Sequence, residues 1–391
     1  MIFDLYFYHY IQQFRKLKRP HWNYEDGCVL TALQYMYEVT EDQIFFESIK
    51  EYFDNYIQND GSILYYHPEE YSLDSLPAGR VLCWLYKRTG ILKYKKAAEL
   101  LMKQLATQPR TDSGSFWHKG IYPYQIWLDG IYMACPFYLV YDVTFCHGQR
   151  IPDIMHQFEN ARKYLYDNQS GLYRHAYDEK KCQFWADRKT GLSPNFWSRA
   201  MGWFIMALVD CYEKMPEKEQ QYRQRLAELL REALDGIYKV EDEETGMLWQ
   251  LTSLKDVSGN YLESSASAMT AYTIMKGCRM GILNNTYLTN AMKIMIYLEQ
   301  NAMKVENNVL KLTGICAGAG LGPAERPQRD GSISYYLKEP CVSDEQKGVA
   351  AVMMAYSEWL RWKEKGAEWK KMITVELQDV YKIRHLAPDR L

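Results

Sequence analysis

The chain has 391 residues, and its 47 Lys and Arg residues nearly balance 49 Asp and Glu residues, so the formal net charge is −2. A chain with this balance has no overall basic field, which argues against nucleic acid or an anionic membrane surface as a partner. The hydrophobic fraction of 47% is typical of soluble globular proteins. Because no stretch reaches the ~20 consecutive apolar residues that cross a bilayer, we predict a cytoplasmic protein without a membrane partner.

The amino-terminal segment, residues 1–20, carries Asp4 within its apolar part and its basic residues mostly after it. A secretory signal has the opposite order, so we expect a leading helix or an extension here. The nine cysteines are scattered along the chain without CxxC or Cys/His ligand spacing. This pattern predicts reduced and mostly buried thiols, and neither a disulfide framework nor a zinc site.

Helical periodicity dominates the rest of the chain, and long alternating strands are scarce. The clearest predicted helices are, in chain order, 28–37, 79–86, 94–105, 127–141, 200–212, 221–237, 265–280, 287–300 and 347–362. No linker rich in Pro, Gly or Ser divides the chain. We therefore predict one domain over residues 1–391.

A short phrase recurs between the predicted helices, in which a glycine is followed by apolar or aromatic residues. It begins at Gly61, Gly114, Gly171 and Gly246, with spacings of 53, 57 and 75 residues. This recurrence suits a helical hairpin with its loops, and about six or seven such units fit the chain. Stacked hairpins either stay open as a solenoid or close into an (α/α)6 barrel, and the spacing alone does not decide. Closure is favoured because it gathers the phrases and nearby polar groups at one end, where a cavity forms.

Two acidic residues, Asp74 and Asp129, each lie in an apolar or aromatic segment next to a predicted helix. Burial raises the pKa of an unpaired carboxyl group, which keeps a proton available near neutral pH. Each acid is also suited to cap the helix that follows, and Pro77 in a first turn favours Asp74 or Ser75 as a cap. In a closed barrel the two acids would converge, and their repulsion would raise one pKa.

Arg199 lies between Trp197 and Trp203. A guanidinium can stack on indole rings and offer a rigid fork to a carboxylate, although Arg199 could instead be structural and pair with Asp187 or Asp210. Aromatic residues make up 15% of the chain, and their flat faces suit sugars as well as large helical cores.

Four further residues are candidates for a sugar site. Tyr24 and Trp127 are candidate platforms for a sugar ring, although such residues are more often found in the core. His118 is a candidate or a loop histidine whose hydrogen bonds are satisfied, and His175 lies in the phrase that begins at Gly171. The glycine-rich segment 314–322 lacks the GxxxxGK[ST] pattern, so we predict no nucleotide site there.

Seven segments carry a family resemblance: Trp22-Asn-Tyr, Leu73-Asp-Ser-Leu-Pro-Ala-Gly, Phe116-Trp-His-Lys, Tyr122-Pro-Tyr-Gln-Ile-Trp-Leu-Asp-Gly-Ile-Tyr-Met, Gly171-Leu-Tyr-Arg-His-Ala-Tyr-Asp-Glu, Leu192-Ser-Pro-Asn-Phe-Trp-Ser-Arg-Ala-Met-Gly-Trp and Asn260-Tyr-Leu-Glu-Ser-Ser-Ala-Ser. Together they resemble glycoside hydrolase family 105, the unsaturated rhamnogalacturonyl hydrolases. The resemblance runs from about residue 22 to residue 362. It is looser over 313–340, where the stretch from Ala324 makes a longer loop.

The resemblance implies an all-α fold, an (α/α)6 barrel. The implied activity removes a terminal Δ4,5-unsaturated uronic acid from lyase-generated oligosaccharides, most often unsaturated galacturonyl-rhamnose, by hydration of the C4=C5 bond. It implies no metal and no other cofactor. Asp129 resembles the general acid/base and Asp74 its partner. The implied substrate-binding residues are Tyr24, His118, Trp127, Met133, His175, Trp197, Arg199 and Trp203.

Two other functions are compatible with parts of the sequence. An unsaturated glucuronyl hydrolase acts on glycosaminoglycan fragments, which are often sulfated, and the chain has no obvious basic cluster for sulfate. A non-catalytic helical carbohydrate-binding protein would account for the aromatic residues and the repeat, but not for acids inside aromatic segments. The sequence carries no indication of the oligomeric state.

Overall fold

The computed structural model describes residues 2–17 and 19–364. The α-helices in this part of the chain are α1 (Phe3–Lys16), α2 (Tyr24–Thr40), α3 (Gln43–Tyr56), α4 (Ala78–Thr89), α5 (Leu92–Thr107), α6 (Leu128–Phe145), α7 (Ile151–Leu165), α8 (Ser198–Lys214), α9 (Gln220–Tyr238), α10 (Ser264–Arg279), α11 (Leu288–Tyr297), α12 (Ile333–Lys338) and α13 (Gln346–Glu364). Every predicted helix overlaps one of them.

The strands are short and form five antiparallel pairs in the described residues. They are β1 (Gln125–Trp127) with β4 (Ala176–Asp178), β2 (Tyr166–Asp167) with β3 (Leu172–Tyr173), β5 (Leu248–Trp249) with β6 (Leu262–Glu263), β7 (Met303–Glu306) with β8 (Val309–Leu312), and β9 (Ile315–Cys316) with β10 (Cys341–Val342). All of them lie in the connections between helices, so the predicted helical class is confirmed.

Six helices form a closed inner ring. In ring order they are α2, α4, α6, α8, α10 and α13, and α13 packs back against α2. Helices α3, α5, α7, α9 and α11 each pack on the inner helix that precedes them, and α1 contacts both α13 and α3. This arrangement is the predicted (α/α)6 barrel, closed rather than open.

Burial distinguishes the inner helices from the outer ones. In α6 every residue from Leu128 to Leu139 is buried, whereas α9 buries only one face, with Leu226, Leu230 and Ile237 inside. A helix that is apolar all round belongs inside a structure, and one with a single apolar stripe belongs at its surface. One connected hydrophobic core extends from Phe3 to Trp362.

Helices α3 and α7 were not among the clearest predictions. In α7 the buried face includes Gln157 and Asn160, which interrupt its apolar period. Both side chains bind the loop outside the helix: the N–H of Phe116 donates to Gln157 Oε1 at 3.0 Å, and Asn160 Nδ2 donates to the carbonyl of Ser113 at 2.9 Å. The two polar residues thereby hold the loop that leads to residue 118.

The recurring glycine phrases all lie at one end of the barrel. Gly61 follows α3, Gly114 follows α5, Gly171 follows α7 and Gly246 follows α9, so each lies between an outer helix and the next inner one. Their φ angles are 92°, 89°, 77° and 69°, a region in which glycine has no steric cost. The phrases therefore gather where the inner helices begin, as closure of the ring predicts.

The nine cysteines are free thiols, and six of them are buried. The predicted burial of most of these thiols is confirmed. Across the described residues, no helix combines the length and the apolar character needed to span a membrane.

Candidate active site

Asp129 lies in the first turn of α6, directly after strand β1. In the β1–β4 pair Trp127 is opposite Ala176, which brings the residue before β4, His175, next to the start of the helix. The distance from Asp129 Oδ2 to His175 Nε2 is 3.2 Å. Asp129 is 9% exposed, and the residue at the N-cap is Trp127, so the interpretation of Asp129 as a helix cap is wrong. The register of a strand pair, and not a cap, determines where this acid lies.

His175 is fully buried and is held from two sides. Its Nδ1 lies 2.7 Å from the hydroxyl of Tyr336, and its ring centroid lies 4.7 Å from that of Trp197. Neither His175 Nε2 nor Asp129 Oδ2 has a well-aligned hydrogen-bond partner in the described residues. A buried polar atom is costly without a partner, so this pair of atoms is suited to receive one from a bound molecule.

Asp74 lies in a short 3₁₀ turn, Leu73–Ser75, ahead of α4. Lys119 Nζ is 2.5 Å from Asp74 Oδ2, and His118 Nε2 is 3.5 Å from Asp74 Oδ1. Although burial alone would raise it, the positive charge of Lys119, and that of His118 when it is protonated, lower the pKa of Asp74 below its usual value. Asp74 is therefore a carboxylate at neutral pH.

The capping role considered for Asp74 and Ser75 is wrong as well. Helix α4 begins at Ala78, its N-cap residue is Pro77, and no side chain caps it. The 3₁₀ turn points the Asp74 side chain toward Lys119 instead. The nearest charged partner of Asp74 is thus a cation, where sequence reasoning had considered only the other acid.

Three rings form what we call the aromatic wall: His118, Tyr122 and Trp127. The Trp127 ring stacks on His118 at 4.9 Å and 10° and on Tyr122 at 4.7 Å and 26°. It meets His175 edge-on at 5.2 Å and 73°. Burial lowers the pKa of His118 to about 4, so His118 is neutral near pH 7. The wall therefore includes His118, which lies beside Asp74, and contacts His175, which lies beside Asp129.

Arg199 lies in the first turn of α8 and is fully buried. Its guanidinium carbon lies 5.4 Å from the Trp197 ring, in the predicted contact between arginine and indole. Its Nη2 lies 3.6 Å from Glu263, and its Nη1 lies 3.8 Å from Glu345. Although burial alone would lower it, the Glu263 carboxylate raises the pKa of Arg199 above its usual value. The cation is therefore permanent.

The two acids considered as structural partners of Arg199 are wrong. Asp210 lies at the other end of α8, where it pairs with Arg80, and Asp187 accepts hydrogen bonds from Lys189 and Thr190 in its own turn. Arg199 Nε and Nη1 have no hydrogen-bond partner in the described residues, although Nη2 donates to a backbone carbonyl.

The remaining predicted site residues differ in burial. Trp203 is 1% exposed, stacks on Tyr132 at 4.7 Å and meets Tyr24 edge-on at 6.4 Å. Tyr24 is half-buried, and burial followed by the charge of Asp74 raises its pKa well above the usual value. Met133 is also 1% exposed, one helical turn beyond Asp129. Tyr24 thus lies near Asp74, whereas Trp203 and Met133 are packed in the core.

Sequence reasoning did not single out five residues that shape this site: Lys119, Tyr122, Glu263, Tyr336 and Glu345. Lys119 and Glu263 lie inside segments that carried the family resemblance, so a local signal existed for them. Tyr336 is separated from His175 by 161 positions, and no local pattern connects the two. In residues 2–17 and 19–364, no group of three or more His, Cys, Asp or Glu side chains is arranged to hold a metal ion.

Comparison with known families assigns the chain to one of them. The model of Glycosyl Hydrolase Family 88 matches residues 7–363. The chain belongs to this family. The match covers the whole ring of inner helices and every residue of the candidate site. The family 88 protein is therefore a glycoside hydrolase, from a family of unsaturated uronyl hydrolases.

Individual relatives of this family 88 protein agree with the assignment. A solved structure of a C. acetobutylicum glycoside hydrolase from family 105 is 40% identical, with a TM-score of 0.83 over 87% of this chain and 94% of that chain. Protein Atu3128 of Agrobacterium fabrum is 39% identical over 233 residues, which are 58% of this chain and 98% of that protein. The unsaturated rhamnogalacturonyl hydrolase YesR of Bacillus subtilis is 26% identical over 265 residues, covering 66% of this chain and 72% of YesR. The resemblance to family 105 is confirmed.

Proposed function

We propose that this family 88 enzyme removes a terminal Δ4,5-unsaturated uronic acid from oligosaccharides left by polysaccharide lyases. The preferred substrate is unsaturated galacturonyl-rhamnose from rhamnogalacturonan, which the similarity to YesR supports. We place the reaction in the cytoplasm, where nine free thiols remain reduced.

The pairing of Asp129 with His175 carries the proposal. Asp129 is a buried carboxyl group with one oxygen free of hydrogen bonds, 3.2 Å from a buried histidine. The second acid, Asp74, is held as a carboxylate by Lys119. Two carboxyl groups in such different surroundings are suited to different roles, and we assign proton transfer to Asp129.

The reaction that we assign to Asp129 begins at the double bond of the substrate. The enol ether C4=C5 takes a proton at C4 from the Asp129 carboxyl group, which leaves an oxocarbenium-like centre at C5. A water molecule attacks C5 and returns a proton to the Asp129 carboxylate. One carboxyl group thus acts first as an acid and then as a base, and a general acid/base contributes ~10² to 10⁴-fold to the rate.

The bond to the next sugar breaks after hydration. The hemiketal at C5 opens to a ketone as the ring oxygen takes a proton and separates from C5. The resulting hemiacetal at C1 collapses to an aldehyde and releases the next sugar as an alcohol. Because the enzyme does not attack the anomeric carbon, the separation of two carboxyl groups that governs ordinary glycosidases does not apply here.

The surroundings of Asp129 suit a flat, anionic sugar. We assign the C–H face of the sugar to the aromatic wall, whose three rings are each 5% exposed. The unpartnered Nε and Nη1 of Arg199 are the donors that we assign to the carboxylate of the unsaturated ring. His175 Nε2 lies between these two features and next to Asp129.

The experiment that tests this function compares the unsaturated disaccharide with its saturated counterpart. Loss of alkene absorbance and release of rhamnose are expected with the first substrate, and no cleavage is expected with the second, because only an alkene accepts a proton at C4. In deuterated water one deuterium should enter C4 of the product on a single face, which NMR at early times detects. Equal cleavage of both disaccharides would contradict hydration.

In a second comparison, turnover of unsaturated disaccharides from glycosaminoglycans is measured beside that of the rhamnogalacturonan disaccharide. Faster turnover of those fragments would replace the proposed substrate with a glucuronide and leave the hydration chemistry in place. Binding of every oligosaccharide without turnover of any would identify a carbohydrate-binding protein instead.

A further inference from the structure

A loop over residues 317–331, between β9 and α12, lies against the aromatic wall. Leu321 packs in one buried cluster with Tyr122 and Trp127. The N–H of Gly320 donates to the hydroxyl of Tyr335 at 2.9 Å, and Asn195 Nδ2 donates to the carbonyl of Gly331 at 2.7 Å. The loop is therefore fixed at both ends beside the candidate site.

One cation of this loop reaches the wall. A Cβ atom placed on Gly320 would lie 3.1 Å from Nη1 of Arg329 and 3.5 Å from the Trp127 ring. The guanidinium and the Trp127 ring thus both lie close to Gly320. The backbone of Arg329 is held as well, because its carbonyl accepts from the N–H of Gly322 at 2.8 Å and its N–H donates to the carbonyl of Arg326 at 3.0 Å.

Arg329 is half-buried, yet its side chain has no ion pair or hydrogen bond in residues 2–17 and 19–364. Two other cations near the site have an acidic neighbour, because Lys119 pairs with Asp74 and Arg199 lies beside Glu263. A guanidinium cannot lose its charge in a protein, and its planar fork matches a carboxylate. The structure thus presents one uncompensated cation at the edge of the site.

We propose that Arg329 binds the carboxylate of a second acidic sugar, beyond the bond that is broken. Its preferred substrates are then oligosaccharides in which uronate and neutral sugars alternate, with at least two uronates. This inference rests on the proposed function, since both use the same site. The carboxylate of the unsaturated ring itself is assigned to Arg199, which is fully buried, whereas Arg329 is half-buried on an outer loop.

The test uses two substrates and two variants. The substrates are the unsaturated disaccharide, with one carboxylate, and the unsaturated tetrasaccharide of alternating uronate and rhamnose, with two. We expect Arg329→Gln to lower kcat/KM for the tetrasaccharide about tenfold or more, the size of one charge-assisted hydrogen bond, and to leave the disaccharide unchanged. Arg326→Gln is the matched control, because Arg326 is exposed on the same loop and should change neither value.

A third substrate separates the effect of the second carboxylate from the effect of the longer chain. The tetrasaccharide whose second carboxyl group is reduced to an alcohol should react with the wild-type enzyme no faster than the disaccharide does. An equal loss on disaccharide and tetrasaccharide in Arg329→Gln would overturn the proposal and place Arg329 at the unsaturated ring. No loss on either substrate would overturn it too.

Binding separates this proposal from the proposed function. Titration calorimetry of the disaccharide and the tetrasaccharide with Asp129→Asn, with and without Arg329→Gln, measures the second subsite without turnover. If the wild type proves inactive on both substrates while tighter binding of the tetrasaccharide depends on Arg329, the proposed function fails and the second subsite stands. If the two bind equally tightly, the second subsite fails.

Discussion

Asp129 and Asp74 are the same residue type in different surroundings. Asp74 is neutralised by Lys119 at 2.5 Å, which lowers its pKa, so it remains a carboxylate over the working range of most enzymes. Asp129 has no cation at comparable distance in the described chain except a histidine that must be protonated to be one. The local partners, and not the residue type, therefore distinguish the two acids electrostatically.

The first prediction concerns Asp129. We expect Asp129→Asn to lower kcat on the unsaturated disaccharide by ~10² to 10⁴-fold, because the amide keeps the shape of the side chain but cannot exchange the proton. The melting temperature and the affinity for the disaccharide should stay close to those of the wild type. Asp112→Asn, on an exposed loop, is the control. A near-normal kcat in Asp129→Asn would show that Asp129 is not the general acid/base.

The second prediction concerns Lys119. Lys119→Gln removes the cation that lowers the pKa of Asp74, so this pKa should rise, and the acidic limb of the kcat/KM profile should move to higher pH. Lys119→Arg keeps the charge and should keep the limb near its wild-type position. Carbon-13 NMR of the Asp74 carboxyl group checks the same shift without relying on turnover, and an unmoved titration in Lys119→Gln would contradict the pairing.

Several residues of the site, His175 among them, could be predicted from the sequence, but which residues contact each other could not. Asp129 and Arg199 lie in distinctive aromatic segments, which marked them. Their neighbours His175, Glu263 and Tyr336 come from other parts of the chain, and only the strand register and the ring closure bring them together. For this reason the capping roles and the two suggested partners of Arg199 were wrong.

At the scale of elements, the inner helices and the loops that precede them place the site. Strand pair β1–β4 fixes the entry to α6, and the 3₁₀ turn fixes the entry to α4. The helices themselves could be predicted from the helical spacing of their apolar residues and from the length of the apolar segments. The short strand pairs could not, because pairs of two to four residues leave no alternation to detect.

The third prediction compares two glycines in inner helices. A Cβ on Gly130 would lie 3.1 Å from both His118 Nδ1 and the Leu73 side chain, whereas one on Gly79 would lie 2.5 Å from the Phe137 ring. We expect Gly130→Ala to lower activity through the aromatic wall without lowering the melting temperature, because alanine favours a helix by ~1 kcal/mol over glycine.

Gly79→Ala should give the opposite result and serves as the comparison. Overpacking against Phe137 should reduce the free energy of unfolding by about 1 to 3 kcal/mol and affect kcat less. Thermal unfolding and turnover of both variants check the pair. If both lost stability alone, Gly130 would have no special relation to the site.

At the scale of the whole molecule, a buried ionic cluster ties the inner helices together. Asp210 of α8 accepts from Arg80 of α4 at 2.7 Å and from Lys276 of α10 at 2.7 Å. The hydroxyl of Tyr272 donates to the same carboxylate at 2.6 Å. Three inner helices thus share one acid, which lies toward the end of α8 opposite to Arg199.

The fourth prediction concerns this shared acid. Asp210→Asn should reduce the free energy of unfolding by about 3 to 5 kcal/mol, because it leaves the buried Arg80 without a countercharge and Lys276 with Glu213 alone. Asp112→Asn, which removes an exposed salt bridge with Lys180, should leave the free energy of unfolding close to the wild-type value. Denaturant titration of both variants measures the difference, and equal stabilities would show that the cluster contributes no more than a surface pair.

The contacts that close the ring between α2 and α13 join residues that a ribosome makes at very different times. Lys347 donates to Glu25 across 322 positions, and Gln346 donates to Asp26 across 320 positions. At ~5 to 20 residues per second, a ribosome needs roughly 16 to 60 seconds between making the first and the second member of these pairs. During that interval the inner face of α2 has no α13 to cover it, and His175 has no Tyr336. We therefore expect the candidate active site to reach its native form only after α12 and the start of α13 have been made.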